Sequence, residues 1–271
     1  MEWTPDGKAL LYISGKCIGL VTLEGENRTL TCFNAAERVD DIAISPDGKQ
    51  LFLALDNMFY ILHFDLERLG KARNHNDLLQ MVSCLNYRSE ISQGGAWSSD
   101  GKVIALKTQI PQSGIRVDAI HLLDISACGA TPPRLLDNFP TVRFEMKGFA
   151  SSPYIPSYDW DGENLFLLNS RIRNQFYGYL YEYNTRLRQG REIDPLGTAC
   201  CYTDASWSPD GSYIAFGYQN IKQGAEAKTQ LYIIPYGTIG TGAVYQPFPL
   251  PPDFFAKPTE HPQPVFRPAQ P

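Results

Sequence analysis

Apolar and polar residues alternate with a period of two along most of this chain, and the alternation recurs in blocks. Five blocks begin with a pair of aliphatic or aromatic positions two residues apart: Leu10 and Tyr12, Leu51 and Leu53, Ile104 and Leu106, Leu165 and Leu167, Ile214 and Phe216. Such a period predicts strands. A second apolar run follows in each block: IGLVTL from Ile18, FYILHF from Phe59, IHLLDI from Ile120, LYEY from Leu180 and LYIIPY from Leu231. A weaker run closes each block: NRTLTCF from Asn27, LLQMV from Leu78, PRLLDNF from Pro133, GREIDPL from Gly190 and AVYQPF from Ala243. No stretch has the period of a long amphipathic helix; the segment from Asp65 to Gln80 has room for one short helical turn.

A pentad stands ahead of each block: WTPDG at Trp3, ISPDG at Ile44, WSSDG at Trp97, YDWDG at Tyr158 and WSPDG at Trp207. Its Asp-Gly pair supplies the turn, with Pro5, Pro46 and Pro209 setting the backbone before it, so each pentad links an inner strand to the next one. Successive turn aspartates lie 41, 53, 61 and 49 residues apart, the spacing of four-stranded antiparallel propeller blades. The expected fold is an all-β propeller with blades near residues 1–34, 35–92, 93–150, 151–200 and 201–246. Asp6, Asp47, Asp100, Asp161 and Asp210 then serve the turns, and Trp3, Trp97 and Trp207 wedge between blades.

The phrase WSPDGSYIAF, from Trp207 to Phe216, resembles the SPDG-type repeat of TolB-like β-propellers, which is related in layout to WD-type blades. The resemblance covers nearly the whole chain. It implies that the pentad aromatic lies on the innermost strand, and that such propellers serve in protein assemblies and are often exported. Blade 4 departs from the pattern, with Tyr158 in place of Trp and Trp160 in place of Pro.

Both ends bear on the blade count. The first aromatic is Trp3, so the inner strand of blade 1 is short. PVFRPAQ, from Pro264, aligns with ASWSPDG and reads as the first strand of a partial sixth blade. Either that strand closes blade 1 as a clasp, or the chain is part of a longer propeller. Nine prolines lie between Pro247 and Pro271, which favours an extended, polyproline-like tail over residues 247–271. An N-terminal export signal is not evident, whereas the TolB resemblance favours a periplasmic or extracellular setting.

A net charge of −5 gives no general attraction to nucleic acid, and no apolar run is long enough for a bilayer-spanning helix. If Glu24-Gly25 is the turn between the last two strands of blade 1, Cys17 stands opposite Cys32. The pair reads as two small buried hydrophobes, or as a disulfide in an exported protein. Cys200 and Cys201, being adjacent, would point to opposite faces of a strand. No cofactor or metal site is expected. The four histidines lack zinc spacing, and the string from Asp159 that begins like a calcium loop has Ser170 where the terminal Glu should stand.

No nucleophile elbow, phosphate loop or zinc-protease motif occurs, so the expectation is a non-catalytic protein. Loop lengths point to the binding surface. The turn aspartate and the third strand are 12 residues apart in blades 1 and 2, but 20, 19 and 21 in blades 3, 4 and 5. Those loops share a face with the long connection from Asn138 to Pro156. Together they carry Arg116, Arg143, Phe144, Lys147, Phe149, Tyr154, Arg171, Arg173, Phe176, Tyr177, Tyr218 and Lys222. Cations mixed with aromatics suit a protein or peptide partner, and also an anionic or carbohydrate ligand. Three readings stand: a scaffold binding a protein partner, the propeller part of a prolyl-oligopeptidase-type hydrolase, and a propeller acting on or binding sugars.

Overall fold

The pentads form tight turns held by their own side chains. In blade 1 the Thr4 hydroxyl donates to Asp6 (2.7 Å), Asp6 accepts the Lys8 N–H (3.1 Å), and Thr4 accepts the Ala9 N–H (3.0 Å). Ser45 with Asp47, Ser98 with Asp100 and Ser208 with Asp210 repeat the arrangement. The pentad glycines take φ between 63° and 82°, the left-handed region that a side chain disfavours. The hydroxyl and backbone bonds hold the carboxylates of Asp6, Asp47 and Asp100 below the usual range, and that of Asp210 at about 2.

This computed structural model describes residues 1–34, 38–56, 58–88, 93–126, 133–140, 143–147, 154–172, 176–198, 200–255, 257 and 260–268. Blade 1 comprises β1 (Glu2–Trp3), β2 (Ala9–Ser14), β3 (Cys17–Thr22) and β4 (Asn27–Cys32), antiparallel and in sequence order. Blade 2 comprises β5 (Val39–Ile44), β6 (Gln50–Leu55), β7 (Met58–His63) and, after two short helices α1 (Leu66–Lys71) and α2 (His75–Leu79), β8 (Val82–Arg88). Blade 3 comprises β9 (Gln93–Trp97), β10 (Val103–Gln112), β11 (Ile115–Asp124) and β12 (Arg134–Phe139). Blade 4 comprises β13 (Tyr158–Trp160), β14 (Leu165–Asn169), β15 (Leu180–Asn184) and β16 (Gln189–Ile193), and blade 5 comprises β17 (Tyr202–Trp207), β18 (Tyr213–Tyr218) and β19 (Gln230–Pro235).

Several elements differ from the sequence reading. The LLQMV stretch is not the fourth strand of blade 2: Leu78 and Leu79 end α2, and the strand begins at Val82. Asp65 caps α1, and a reciprocal capping box between Asn74 and Asp77 starts α2, so the single helical turn becomes two helices. The long loop of blade 3 is a ten-residue hairpin arm closed at Ser113-Gly114, both with positive φ. AVYQPF forms no strand; only the Phe248 N–H reaches β19, at the Leu231 carbonyl (2.6 Å), because Pro247, Pro249, Pro251 and Pro252 have no N–H to donate. Nor does the segment from Pro264 to Pro268 form the first strand of a sixth blade. Its Arg267 instead donates to the Gly7 carbonyl (2.8 Å) and lies over the Trp3 ring.

The chain packs as two compact units, one of Met1–Gln109, Ile120–Asp137 and Arg267–Pro271, the other of Ile110–Ala119 and Asn138–Phe266. In the first unit, Leu11, Ile18, Leu51, Leu53 and Tyr60 fill the space between blades 1 and 2, and Phe52, Phe59, Trp97 and Ile104 that between blades 2 and 3. The Trp97 indole donates to the Ala43 carbonyl (3.1 Å). Cys17 pairs with Cys32 in register and is joined to it by a disulfide. In the second unit, Leu167, Tyr202, Trp207, Ile214, Phe216, Tyr232 and Ile234 form the core. Cys200 and Cys201 are joined to each other across a cis peptide rather than facing apart, and no described cysteine is free.

Blade 4 departs from the pentad pattern in a way that matters. Asp159 stands where the other blades have the Ser or Thr that clamps the turn, and it accepts the N–H of Trp207 on β17 (2.7 Å) and of Trp160 (2.9 Å). Asp161 takes over its own turn, accepting from Glu163, Asn164 and Leu165, so its carboxylate is committed to the hairpin. Burial pushes the Asp159 carboxyl up to about 6, against the lowering effect of those N–H bonds. The native state therefore binds more protons than the unfolded chain between the ordinary 3.8 and about 6, and this group's contribution falls as pH rises through that window. Asp159 keeps partial solvent contact, which leaves an effect of about 1–2 kcal/mol. In urea titrations, the change in unfolding free energy from pH 4 to pH 7 should favour the native state more in Asp159→Asn than in wild type, by that amount.

Candidate functional site

The second unit gathers most of the long connections: the loop 170–179 of blade 4, the loop 219–229 of blade 5, the segment before β13, and part of the Pro-rich tail. The first of these loops is fixed at both ends, with the Ser170 N–H on the Tyr179 carbonyl (2.9 Å) and a bridge between Gly178 and Tyr202. The second contains a 3-10 turn, Ile221–Glu226, whose entry is capped by the Asn220 side chain on the Lys222 N–H (3.0 Å).

Residues anticipated from loop length do not share one environment. Tyr154 and Arg171 meet, the guanidinium lying 5.2 Å from the ring centre in cation–π geometry. Phe176 and Tyr177 meet the tail. Phe144 packs on the sheet of blade 4, near the rings of Tyr181 and Tyr183, in the space that a side chain at Gly190 would need. Beside it the Lys147 ammonium pairs with Glu192 (2.7 Å) and sits 5.0 Å from the Tyr179 ring centre. Arg143 is half-buried, its N–H held by the Pro140 carbonyl (2.7 Å). Arg116 and Lys222 are exposed, on the blade 3 arm and on the 3-10 turn. Tyr218 is in the core against Tyr202 and Tyr232, and Tyr177 is fully buried, so neither ring offers a surface. Phe149 and Arg173 lie outside the described residues.

The most developed polar cluster joins residues that loop length did not reveal. Asp204 sits in β17 with φ of 47°, beside a register shift between Thr203 and Ser206. Its carboxylate accepts from the Thr203 hydroxyl (2.9 Å) and from His261 Nδ1, and its N–H donates to the Ser157 hydroxyl (3.1 Å). The Phe176 ring lies against the His261 imidazole, tilted by 30° with centroids 4.1 Å apart. One residue earlier, the Glu260 carbonyl accepts from Thr229 (2.7 Å), whose oxygen takes the Tyr177 hydroxyl (2.5 Å) and the Gln219 amide (3.2 Å). One residue later, buried Pro262 fills the space beside Gly217 that a Cβ there would occupy. Burial pulls the His261 imidazole down, but the hydrogen bond and charge of Asp204 outweigh it, and its pKa lies above the ordinary 6.5.

No acid and base pair in this cluster faces open space, and among the described residues no three potential ligands converge as a metal site would require. What the cluster does is hold a short piece of the tail by one backbone carbonyl, one ring and one proline. No protein-family model and no curated protein matches the sequence. Solved structures do match. A putative TolB from Agrobacterium tumefaciens aligns with TM-score 0.51 and 19% identity over 86% of this chain and 70% of its own. The chain has a TolB-like β-propeller fold. Similar propeller folds occur in a mitotic checkpoint complex (TM-score 0.51, 14% identity, 89% of this chain) and in hydrazine synthase of Kuenenia stuttgartiensis (0.53, 15%, 87%). This propeller chain spans 60% and 62% of the lengths of those two proteins.

Proposed function

We propose that this propeller is a non-catalytic scaffold that binds a protein or peptide partner on the long-loop face of its second unit. The observation that carries this reading is that Glu260–Pro262, a piece of the tail, is already held there by Thr229, Asp204 and Phe176. The Arg171 and Tyr154 pair supplies a cation and a flat ring on the same loop set, as protein interfaces use them. Disulfide-bonded Cys17 and Cys32 fit an oxidising compartment, in keeping with the export that the TolB resemblance implies.

Arg171 is half-buried against the Tyr154 ring, a contact worth about 0.5–1 kcal/mol, so Arg171→Glu should lower the melting temperature by about 2–4 °C. The substitution should weaken capture of partners from the native source at least tenfold in quantitative cross-linking mass spectrometry. Retention of the same cross-linked partners at unchanged yield would remove this face from the binding function.

A further inference from the structure

The tail occupies its cradle through three consecutive residues, each met by a different device. The Glu260 carbonyl accepts from the Thr229 hydroxyl, which in turn takes the Tyr177 hydroxyl, the His261 ring lies between Asp204 and Phe176, and Pro262 rests on the bare backbone of Gly217. They cover one backbone group and two side chains. The Glu260 N–H and carboxylate are bonded within the tail, to Lys257, whereas the Glu260 carbonyl and the His261 ring are bonded by the cradle. The cradle is also fixed independently of the tail. Asp204 is oriented by Thr203 and Ser157, Thr229 by Gln219, and the buried Tyr177 by its neighbours. On the tail side, Lys228 pairs with Asp253 at the surface, and the chain from Pro247 to Phe255 walls a groove of about 290 Å³ against β19. The proline-rich run makes few backbone hydrogen bonds of its own, so the tail is tied down at separate points, of which the tripeptide is one and the Phe248 N–H on Leu231 and Arg267 on Gly7 are others.

We propose that Phe176, Tyr177, Asp204, Thr229 and Gly217 form a recognition cradle for a segment carrying a His-Pro dipeptide, filled in cis by the chain's own His261-Pro262 and in trans by a partner segment of the same chemistry. The tail thereby acts as a strap that a partner displaces. This inference rests on the reading of the long-loop face as a partner-binding surface and names the partner's chemistry.

A fluorescently labelled peptide of sequence EHPQPVF, matching residues 260–266, is titrated into the full chain and read by anisotropy. Wild type, with its cradle filled, should bind weakly, and His261→Ala should bind at least tenfold more tightly. Adding Asp204→Asn to that variant should remove the gain, and a peptide with Ala in place of His should not compete. A folded His261→Ala protein that binds no better than wild type overturns the proposal. If His261→Ala fails to fold, amide hydrogen exchange of residues 260–266 in Phe176→Ala decides: at least tenfold faster exchange is expected, and unchanged exchange overturns it. Peptide binding that survives Arg171→Glu while native partners are also retained would leave the cradle standing and reject the wider face.

Discussion

Trp207→Ala should lower the stability of this protein by about 3–5 kcal/mol, the cost of emptying a buried aromatic site that its neighbours cannot close over. Trp207 is only 6% exposed and lies in the core shared by blades 4 and 5, packed with Leu167, Ile214 and Tyr232. Its ring meets Tyr236 edge-on at 4.6 Å, an arrangement that adds to the simple burial of area. The backbone argument reinforces the packing one. The Trp207 N–H is held by Asp159 of the preceding blade, so the residue is fixed both by its ring and by its main chain. Thermal melts should show a fall on the order of 10 °C, and Trp207→Phe should recover part of it. A Trp207→Ala protein that melts with wild type would mean that the aromatic of the fifth pentad is not a wedge between blades.

The pentads were readable because turn chemistry and strand periodicity agree in each block, and agreement between levels is what specifies a fold. The clamp made by Ser45, Ser98 and Ser208 was visible only as a repeated letter. Its role emerges when the hydroxyl is seen to donate to the turn aspartate while accepting the N–H five residues on. Where sequence reading failed, a specific local term prevailed. Capping by Asn74 and Asp77 drew Leu78 into a helix although its apolar run would suit a strand. The chain after Ala243 stays out of blade 5 despite its alternating pattern, and from Pro247 onward Pro247, Pro249, Pro251 and Pro252 lack the N–H that a strand would donate.

The candidate site was half legible. Loop length drew attention to blades 4 and 5, where Arg171 meets Tyr154 and Phe176 meets the tail. Loop length could not say which aromatics turn inward. Tyr177 and Tyr218 sit at the ends of strand pairs, where the pairing of Gly178 with Tyr202 and of Tyr218 with Gln230 directs them into the core. Asp204 and His261 are 57 residues apart and share no motif, and only the positive φ at Asp204 brings that carboxylate to the imidazole. Aspartate is among the few residues that tolerate that conformation, so the polar Thr203-Asp204 interruption of an otherwise apolar inner strand was the available signal.

Removing the Cys17–Cys32 crosslink should cost about 3 kcal/mol, which makes it the second large effect expected. The bond spans 15 residues, and closing a loop of that size in the unfolded chain restricts it by roughly this amount. Blade 1 is the blade least able to absorb the loss. Its inner strand β1 has two residues, and half of β4, from Asn27 to Thr29, is exposed. The outer hairpin therefore draws much of its order from the bond that joins the start of β3 to the end of β4. Cys17→Ser with Cys32→Ser should lower the urea midpoint, and amide exchange should rise first in β4. Wild type in excess dithiothreitol should match the double variant in this hairpin, and the double variant itself should not respond to the reductant there. Equal midpoints for oxidised wild type and the double variant would show that the hairpin is held by its ladder and by Thr31, which donates to the Ala72 carbonyl beside α1, without help from the crosslink.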